Sequence, residues 1–478
     1  MSLRTKDPEL VHGVAPSSSG LEELRRTFRG QILTPSDDRY EASRQVRNAM
    51  LDRHPALIAR CLGAADVAST ISFAREQGLE VAVRGGGHSI VGHSMIDGAV
   101  VIDLSAMRGV RTEAGRLRAR AQGGAMIADL DREAQHFGLA TTGGAVATTG
   151  LGGLTLGGGY GWLARRFGLA CDNLRSAEIV TADGSVFTAS EEEHPDLFWA
   201  IRGGGGNFGV VTSFEFELHR FGPTVASGDV FYRYEDGVAA LGAFRDLLVQ
   251  APDELYLVAA VAMAAEDTPV PEEFRGRPIV VLTWIWVGDQ PHEGERIAEP
   301  LHSAGRPLAQ FVNSMTYLQL QSGPDGLDRP RRRTYWKSSF LNDLSDEVLQ
   351  TFLDATVAAN DGRNLTAAEM LSMGGAIREV GEENTAYGHR EALVDFLAVA
   401  GWTDPAEDYD RMSAACRVWE GVAGRGAGGV YVNNLGSEGH DRVREAYGDA
   451  KYARLSKVKA RYDPDNVFRH NANIRPAG

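Results

Sequence analysis

Between residues 54 and 105 short apolar runs flank one longer amphipathic run: ALIARCL (56–62), DVASTISFAREQ (66–77), LEVAV (79–83) and GAVVIDLS (98–105). The first, third and fourth are too short for helices and rich in Val, Ile and Leu, so they predict buried strands; the second has helical spacing and stops at Gly78. The alternation continues. LRARAQG (117–123), a helix within AMIADLDREAQHFG (125–138), SAEIVTADGSVFTA (176–189) and VVTSFEFELHRFG (210–222) predict further α and β elements. After about Gly222 the texture changes: longer strands such as ELYLVAAVAM (254–263) and PIVVLTWIWVGD (278–289) alternate with amphipathic runs such as DEVLQTFLDATVAA (346–359), the pattern of a sheet covered by helices. Small residues and glycines return in GRGAGGVYVNN (424–434), and the tail RYDPDNVFRHNANI (461–474) is expected to pack back onto the first part. The expected divisions are a flexible leader over 1–20, a first domain over 21–224, a second over 225–426 and a returning segment over 427–478.

Composition narrows the classes. The 478 residues are 43% hydrophobic and carry a net charge of −15, which suits a globular protein and opposes nucleic acid or anionic membrane as partners. No run is long and apolar enough for a membrane helix, and no secretory signal opens the chain, so the expected location is cytoplasmic. Cys61, Cys171 and Cys416 lie far apart without metal-binding spacing and are expected to be buried thiols; no metal site is expected.

The glycines carry the chemistry. Three clusters occur in the first 210 residues: RGGGHS (84–89), TTGGAVATTGLGGLTLGGGYG (141–161) and RGGGGNFG (202–209). Glycine lets backbone N–H groups converge on an anion and lets a ligand approach the main chain. Three clusters beside strands and helix starts point to one long ligand with a pyrophosphate. Neither the P-loop nor the Rossmann fingerprint is present, so a different cradle is needed.

These residues resemble the vanillyl-alcohol oxidase superfamily and, within it, the berberine bridge enzyme-like flavin oxidases of the singly tethered bacterial type. The resemblance rests on VRGGGHSIVGHS (83–94), GGLTLGGGYGWLARRFGLACDNLRSAEIVTADG (152–184), LFWAIRGGGGNFGVVTSFEF (197–216), TAYGHR (385–390) and the closing YDPDNVFRHNANI (462–474). It implies a two-domain α+β fold: an FAD-binding domain of two α/β subdomains, and a substrate domain whose antiparallel sheet is covered by helices. It also implies FAD bonded through its 8α-methyl to His88, an oxidase acting on a small organic, natural-product substrate, and reoxidation by O2 to H2O2. By position the cofactor-binding residues are Arg84, Gly85, Gly86, Gly87, His88, Ser89, Gly92 and His93 in the first loop. Gly143, Gly144, Val146, Thr149, Gly150, Gly152, Gly153, Gly158, Gly159, Tyr160 and Gly161 follow in the second. Asp172, Asn173, Val180, Tyr431, Asn433, Asn471 and Asn473 complete the set.

Two positions depart from the family pattern. Val146 stands where many relatives carry a second, cysteinyl bond, so a single histidyl tether is expected; Thr149 is small enough to admit oxygen. Val146, Thr149 and Leu154 near the flavin N5 leave open an oxygenase acting through a flavin-N5-oxide on polyketide substrates. Asn434 stands where sugar and alcohol oxidases of the group place a tyrosine base, which leaves a non-catalytic flavin-binding protein as a further alternative and moves weight to Glu379 as base. A dehydrogenase passing its electrons to a partner protein is another. For Glu379 the competing reading is a solvated loop carboxylate, and for Tyr160 a packed side chain. Trp284 and Trp286 share a strand face and are read as core, with the cleft border as the alternative. In RPRRRTYWKSSF (329–340), Tyr335 and Lys337 are weighed as a polar substrate wall against a solvated charge run. Oligomeric state stays open.

Overall fold

A computed structural model describes residues 16–323, 331–425 and 428–478. The fold is α+β, and its sheets have different jobs. The first has strand order Gln31–Leu33, Leu57–Arg60, Val100–Asp103, Val81–Arg84; the last three run parallel, with the helix Ala64–Glu76 crossing over between two of them. Their side chains are apolar because a parallel sheet is covered on both faces. Gly78, at φ +65°, turns the chain out of that helix in the left-handed conformation that favours glycine. The predicted strands and helix of 54–105 are all present.

A second, antiparallel sheet follows, in the order Val110–Glu113, Arg118–Gln122, Val210–Glu217, Leu174–Val180, Val186–Ser190. Its core joins Phe214 and Phe216 to Phe198, Trp199, Tyr452, Leu455 and Tyr462, so the helix Asp449–Tyr462 of the returning segment completes this unit. The return is pinned by a fully buried pair. Lys459 Nζ donates to Asp463 at 2.5 Å, to the Asn207 carbonyl at 2.7 Å and to the Phe468 carbonyl at 2.9 Å.

The third sheet has seven antiparallel strands: Ala309–Thr316, Thr224–Arg233, Pro278–Trp286, Leu255–Met263, Ala367–Ser372, Val394–Trp402 and Arg333–Leu341. Successive side chains point to opposite faces. The back face (Tyr232, Leu257, Leu282, Trp284, Met370, Phe396) packs on the helices Gly237–Gln250, Pro291–His302, Asp346–Asn360 and Asp408–Ala423. The front face meets the first domain: Tyr256 and Ile285 share a cluster with Leu163 and Phe221, and Trp162 packs edge-on against Tyr256 at 5.4 Å.

Several expectations find their outcome here. Trp284 and Trp286 are 0% and 4% exposed in the back-face core, not at the cleft. Tyr335 also points backward, its hydroxyl 3.5 Å from Cys416 Sγ, and Lys337 pairs with Glu438 at 2.8 Å over the ring of Trp419. Neither faces the first domain's glycine loops, because both occupy back-face positions of their strand. The described part of the basic stretch is a seam. Asn48 Nδ2 donates to the carbonyls of Ile90 and Thr334, tying strand Arg333–Leu341 to the first glycine loop. Residues 1–15 of the expected leader, 329–330 of the basic stretch and the 426/427 boundary lie outside the described residues. The chain is already helical at Ser18–Thr27, where Leu24 enters the first core, so 18–20 are not leader. Cys61 and Cys171 are buried as expected; Cys416 is half-buried.

Candidate active site

The first glycine loop leaves strand Val81–Arg84 and runs directly against the second. A Cβ on Gly86 would lie 2.3 Å from the Gly150 nitrogen, and one on Gly150 2.2 Å from the Gly86 nitrogen. Backbone touches backbone here, which no side chain at either position permits. Gly87 (φ +69°) and Gly92 (φ +77°) turn the loop, while the hydroxyl of Ser89 accepts from the His93 N–H at 3.3 Å. Arg84 donates to the Ser43 carbonyl, which anchors the loop's start.

His88 is presented, half-buried, at this junction. Its Nε2 lies 3.1 Å from Thr148 Oγ1 and its Nδ1 3.4 Å from Thr149 Oγ1, so both ring nitrogens face hydroxyls of the second loop. His93, deeper in the loop, has its pKa pushed down to about 4 by burial, with the nearby His470 adding to the effect, and is neutral at pH 7.

The second loop is braced from several sides. Gly161 packs on the backbone of Gly143 and Gly144, and the Gly144 carbonyl accepts from Gln321. Val146 accepts from the Thr149 N–H, and Gly152 lies against the Gly123 carbonyl. Gly158 (φ +124°) and Gly159 (φ +83°) open room for Tyr387 and Leu154. The Gly159 N–H donates to the Tyr431 hydroxyl at 3.0 Å, and Asn433 donates to the carbonyls of Gly153 and Leu154 and to that same hydroxyl. The returning segment thus holds the loop's shape. In the tail, Asn471 donates to the Gly206 carbonyl of the third glycine cluster, while the buried Oδ1 atoms of Asn471 and Asn473 have no partner among the described residues.

The side chains of Asp172, Asn173 and Val180 have partners within the fold. Asp172 forms a buried two-pronged pair with Arg390 at 2.7 and 3.0 Å and accepts from the Leu169 N–H. Asn173 Nδ2 donates to the carbonyls of Phe167 and Leu169, and its Oδ1 contacts His219. Both side chains are spent on folding the loop, and the side chain of Val180 is in the core of the first sheet.

A polar cluster sits where the second loop meets the front face. Tyr160 donates to Asp395 Oδ2 at 2.6 Å, Ser338 to Asp395 Oδ1 at 2.7 Å, and Asn434 Nδ2 to Asp395 Oδ2 at 2.8 Å. Burial pushes the Asp395 carboxyl up to about 6, opposed by the three donors. Burial and the adjacent Asp395 charge hold the Tyr160 phenol well above its ordinary range, so it is the proton donor of the pair. The ring of Tyr160 lies 4.9 Å from that of Tyr431.

Of the predicted catalytic residues, Tyr160 and Asn434 are in this cluster and Glu379 is not. Glu379 ends the short helix Ala376–Glu379 with an exposed side chain, since its neighbour Ile377 takes the inward position. The acid the sequence reading missed is Asp395. Its signal was a lone charge in an apolar strand, VDFLAVAGW. Glu369 stands out the same way in AAEMLS. It lies on the front face, and burial raises its pKa.

Comparison with known proteins agrees with this architecture. A family model described as an FAD binding domain matches residues 55–190, and one described as berberine and berberine like matches residues 430–475. (R)-6-hydroxynicotine oxidase of Paenarthrobacter nicotinovorans is 32% identical over 477 residues, covering 95% of this chain and 98% of that protein. Chitooligosaccharide oxidase of Gibberella zeae is 27% identical, covering 90% and 89%. The crystal structure of 6-hydroxy-D-nicotine oxidase from Arthrobacter nicotinovorans superposes with a TM-score of 0.85 over 94% of this chain and 98% of that one, at 29% identity.

Proposed function

Because this chain belongs to the berberine bridge enzyme-like family of FAD-linked oxidoreductases, we propose that the cluster around Asp395 is the proton-accepting half of its oxidase reaction and that His88 tethers the flavin. The residues present suit FAD. The contact of Gly86 with Gly150 draws the first two loops together, a Cβ on Gly153 would stand in open space, and the amide oxygens of Asn471 and Asn473, partnerless among the described residues, await hydrogen-bond donors. When bound, FAD supplies the hydride acceptor and, through O2, its own reoxidation to give H2O2. Everything else is the work of side chains.

Removing hydride from a carbon that bears a hydroxyl or amine requires a base for the heteroatom's proton. Tyr160 is placed to take that proton while passing its own to Asp395 Oδ2 along the 2.6 Å hydrogen bond that carries this reading. Ser338 and Asn434 hold the carboxylate in register, so Asn434 is a positioning residue rather than a base. Val146 leaves no thiol for a second bond, and the imidazole of His88 alone makes the link. The substrate is a small organic molecule; the hydroxynicotine and chitooligosaccharide named for two relatives bracket amine and alcohol chemistry.

The proton role is tested by anaerobic stopped-flow reduction of Tyr160→Phe and Asp395→Asn: both should slow flavin bleaching while leaving its spectrum intact, and wild-type rates would refute it. The tether is tested by acid precipitation. A yellow pellet yielding a peptide that contains His88 and is heavier by one FAD is expected, with the flavin moving to the supernatant in His88→Ala.

A further inference from the structure

Glu369 has work beyond the fold. Its strand pairs Leu371 with Asp395, so Glu369 is the diagonal neighbour of Asp395 on the front face, about 7–8 Å away. Tyr256 lies on that face too and feels the charge of both acids. Glu369 is half-buried, and burial raises the pKa of its carboxyl. Among the described residues it has neither a hydrogen bond nor an ion pair. No group among the described residues pairs with it, and desolvating a carboxylate without a partner is costly.

The surrounding charges fix what would satisfy it. The seven strands present Asp229, Glu369 and Asp395 on this face and one cation, Arg233, which is committed to Asp236 at 2.7 Å. Arg165, the cation approaching from the first domain, is spent on the carbonyls of Met373, Ala251 and Pro252. Trp162 packs edge-on against front-face Tyr256, and the buried indole nitrogens of Trp162 and of front-face Trp336 are partnerless among the described residues. They add hydrogen-bond donors and π faces but no positive charge.

We propose that Glu369 anchors a positively charged nitrogen of the substrate, so that this oxidase takes arylalkylamines in preference to neutral alcohols or sugars. The inference rests on the front face beside Asp395 being the substrate site, as in the reading above, but not on which residue takes the proton. The anchor is a specificity residue. A carboxylate without a protein cation selects by charge, because a neutral ligand leaves it as unsatisfied as before.

The test is calorimetric titration of the holoprotein with benzylamine, N-methylbenzylamine and 2-phenylpyrrolidine, each beside its neutral isostere: benzyl alcohol, benzyl methyl ether and 2-phenyltetrahydrofuran. At least one amine should bind about tenfold or more tighter than its isostere. In Glu369→Gln, whose side chain keeps the shape and loses the charge, that preference should shrink to about threefold or less, with Glu369→Asp keeping part of it. If no amine of the wild-type panel outbinds its isostere, or if the preference survives in Glu369→Gln, the anchor is refuted. Tyr160→Phe separates the two readings: it should keep the amine preference while losing rapid reduction, whereas wild-type reduction in that variant would sink the base and leave the anchor standing.

Discussion

The two faces of the seven-stranded sheet share strands, length and residue alphabet, yet they do different work. On the back, Trp284, Phe396 and Met370 are fully buried against four helices; Trp284 Nε1 donates to His302 at 3.0 Å, while the indole nitrogen of Trp286 has no partner among the described residues. On the front, Asp395 is as deeply buried but holds its proton up to a pKa of about 6, burial raises the pKa of Glu369, and the indole nitrogens of Trp162 and Trp336 have no partner among the described residues. Burial means packing on one face and chemical readiness on the other. The difference lies in the acids: Asp229, Glu369 and Asp395 stand on the front face, and the strands place none on the back.

Substitutions should therefore fall into two classes. The largest effect is expected from Tyr160→Phe and Asp395→Asn, which should slow anaerobic flavin reduction by about 10²–10⁴-fold, the usual contribution of a positioned acid or base, with little change in melting temperature. Trp284→Ala should do the opposite. It removes a fully buried indole and should cost about 3–5 kcal/mol in denaturant unfolding, while the reduction rate per bound flavin in the folded fraction stays within about twofold of wild type. A back-face variant that altered the pH profile of reduction would erase the distinction between the faces.

Asp395 also links the front face to pH. Its carboxyl rises from an ordinary 3.8 to about 6 in the folded chain, so between those values the folded state holds more protons than the unfolded one. Stability from this group is then fully present below pH 3.8 and is lost as pH climbs through about 6, a change on the order of 3 kcal/mol. Asp395→Asn should flatten that part of the unfolding curve. Reduction runs the other way: it should rise with pH through about 6 as the carboxylate forms, and this limb should vanish in the same variant. An unchanged limb would assign it to another group.

How far the sequence reveals this follows from the same contrast. The glycine loops were legible because each glycine answers a local demand, such as the backbone contact of Gly86 with Gly150. Strands and helices were legible from their periods. The Tyr160–Asp395 pair was not, because its members lie 235 positions apart and nothing local in GGGYG or VDFLAVAGW points from one to the other. Period-two alternation was also silent for that strand, since a strand buried on both faces is apolar throughout. The Asp172–Arg390 pair was hidden for the same reason, its members lying 218 positions apart.

The smallest expected effect is the sharpest on this point. Glu379 was singled out by its distance from the TAYGHR element, a criterion of position along the chain. In the fold it closes a one-turn helix on the outside, sixteen residues before the acid that faces Tyr160. An exposed carboxylate has water on most sides, so its removal changes neither desolvation nor a buried contact. Glu379→Gln should leave unfolding within about 0.5 kcal/mol of wild type and the rate and pH profile of reduction unchanged. A loss of reduction comparable to that of Asp395→Asn would mean that proximity in sequence to a family motif outweighs the face a strand presents, and the division of labour between the two faces would have to be abandoned.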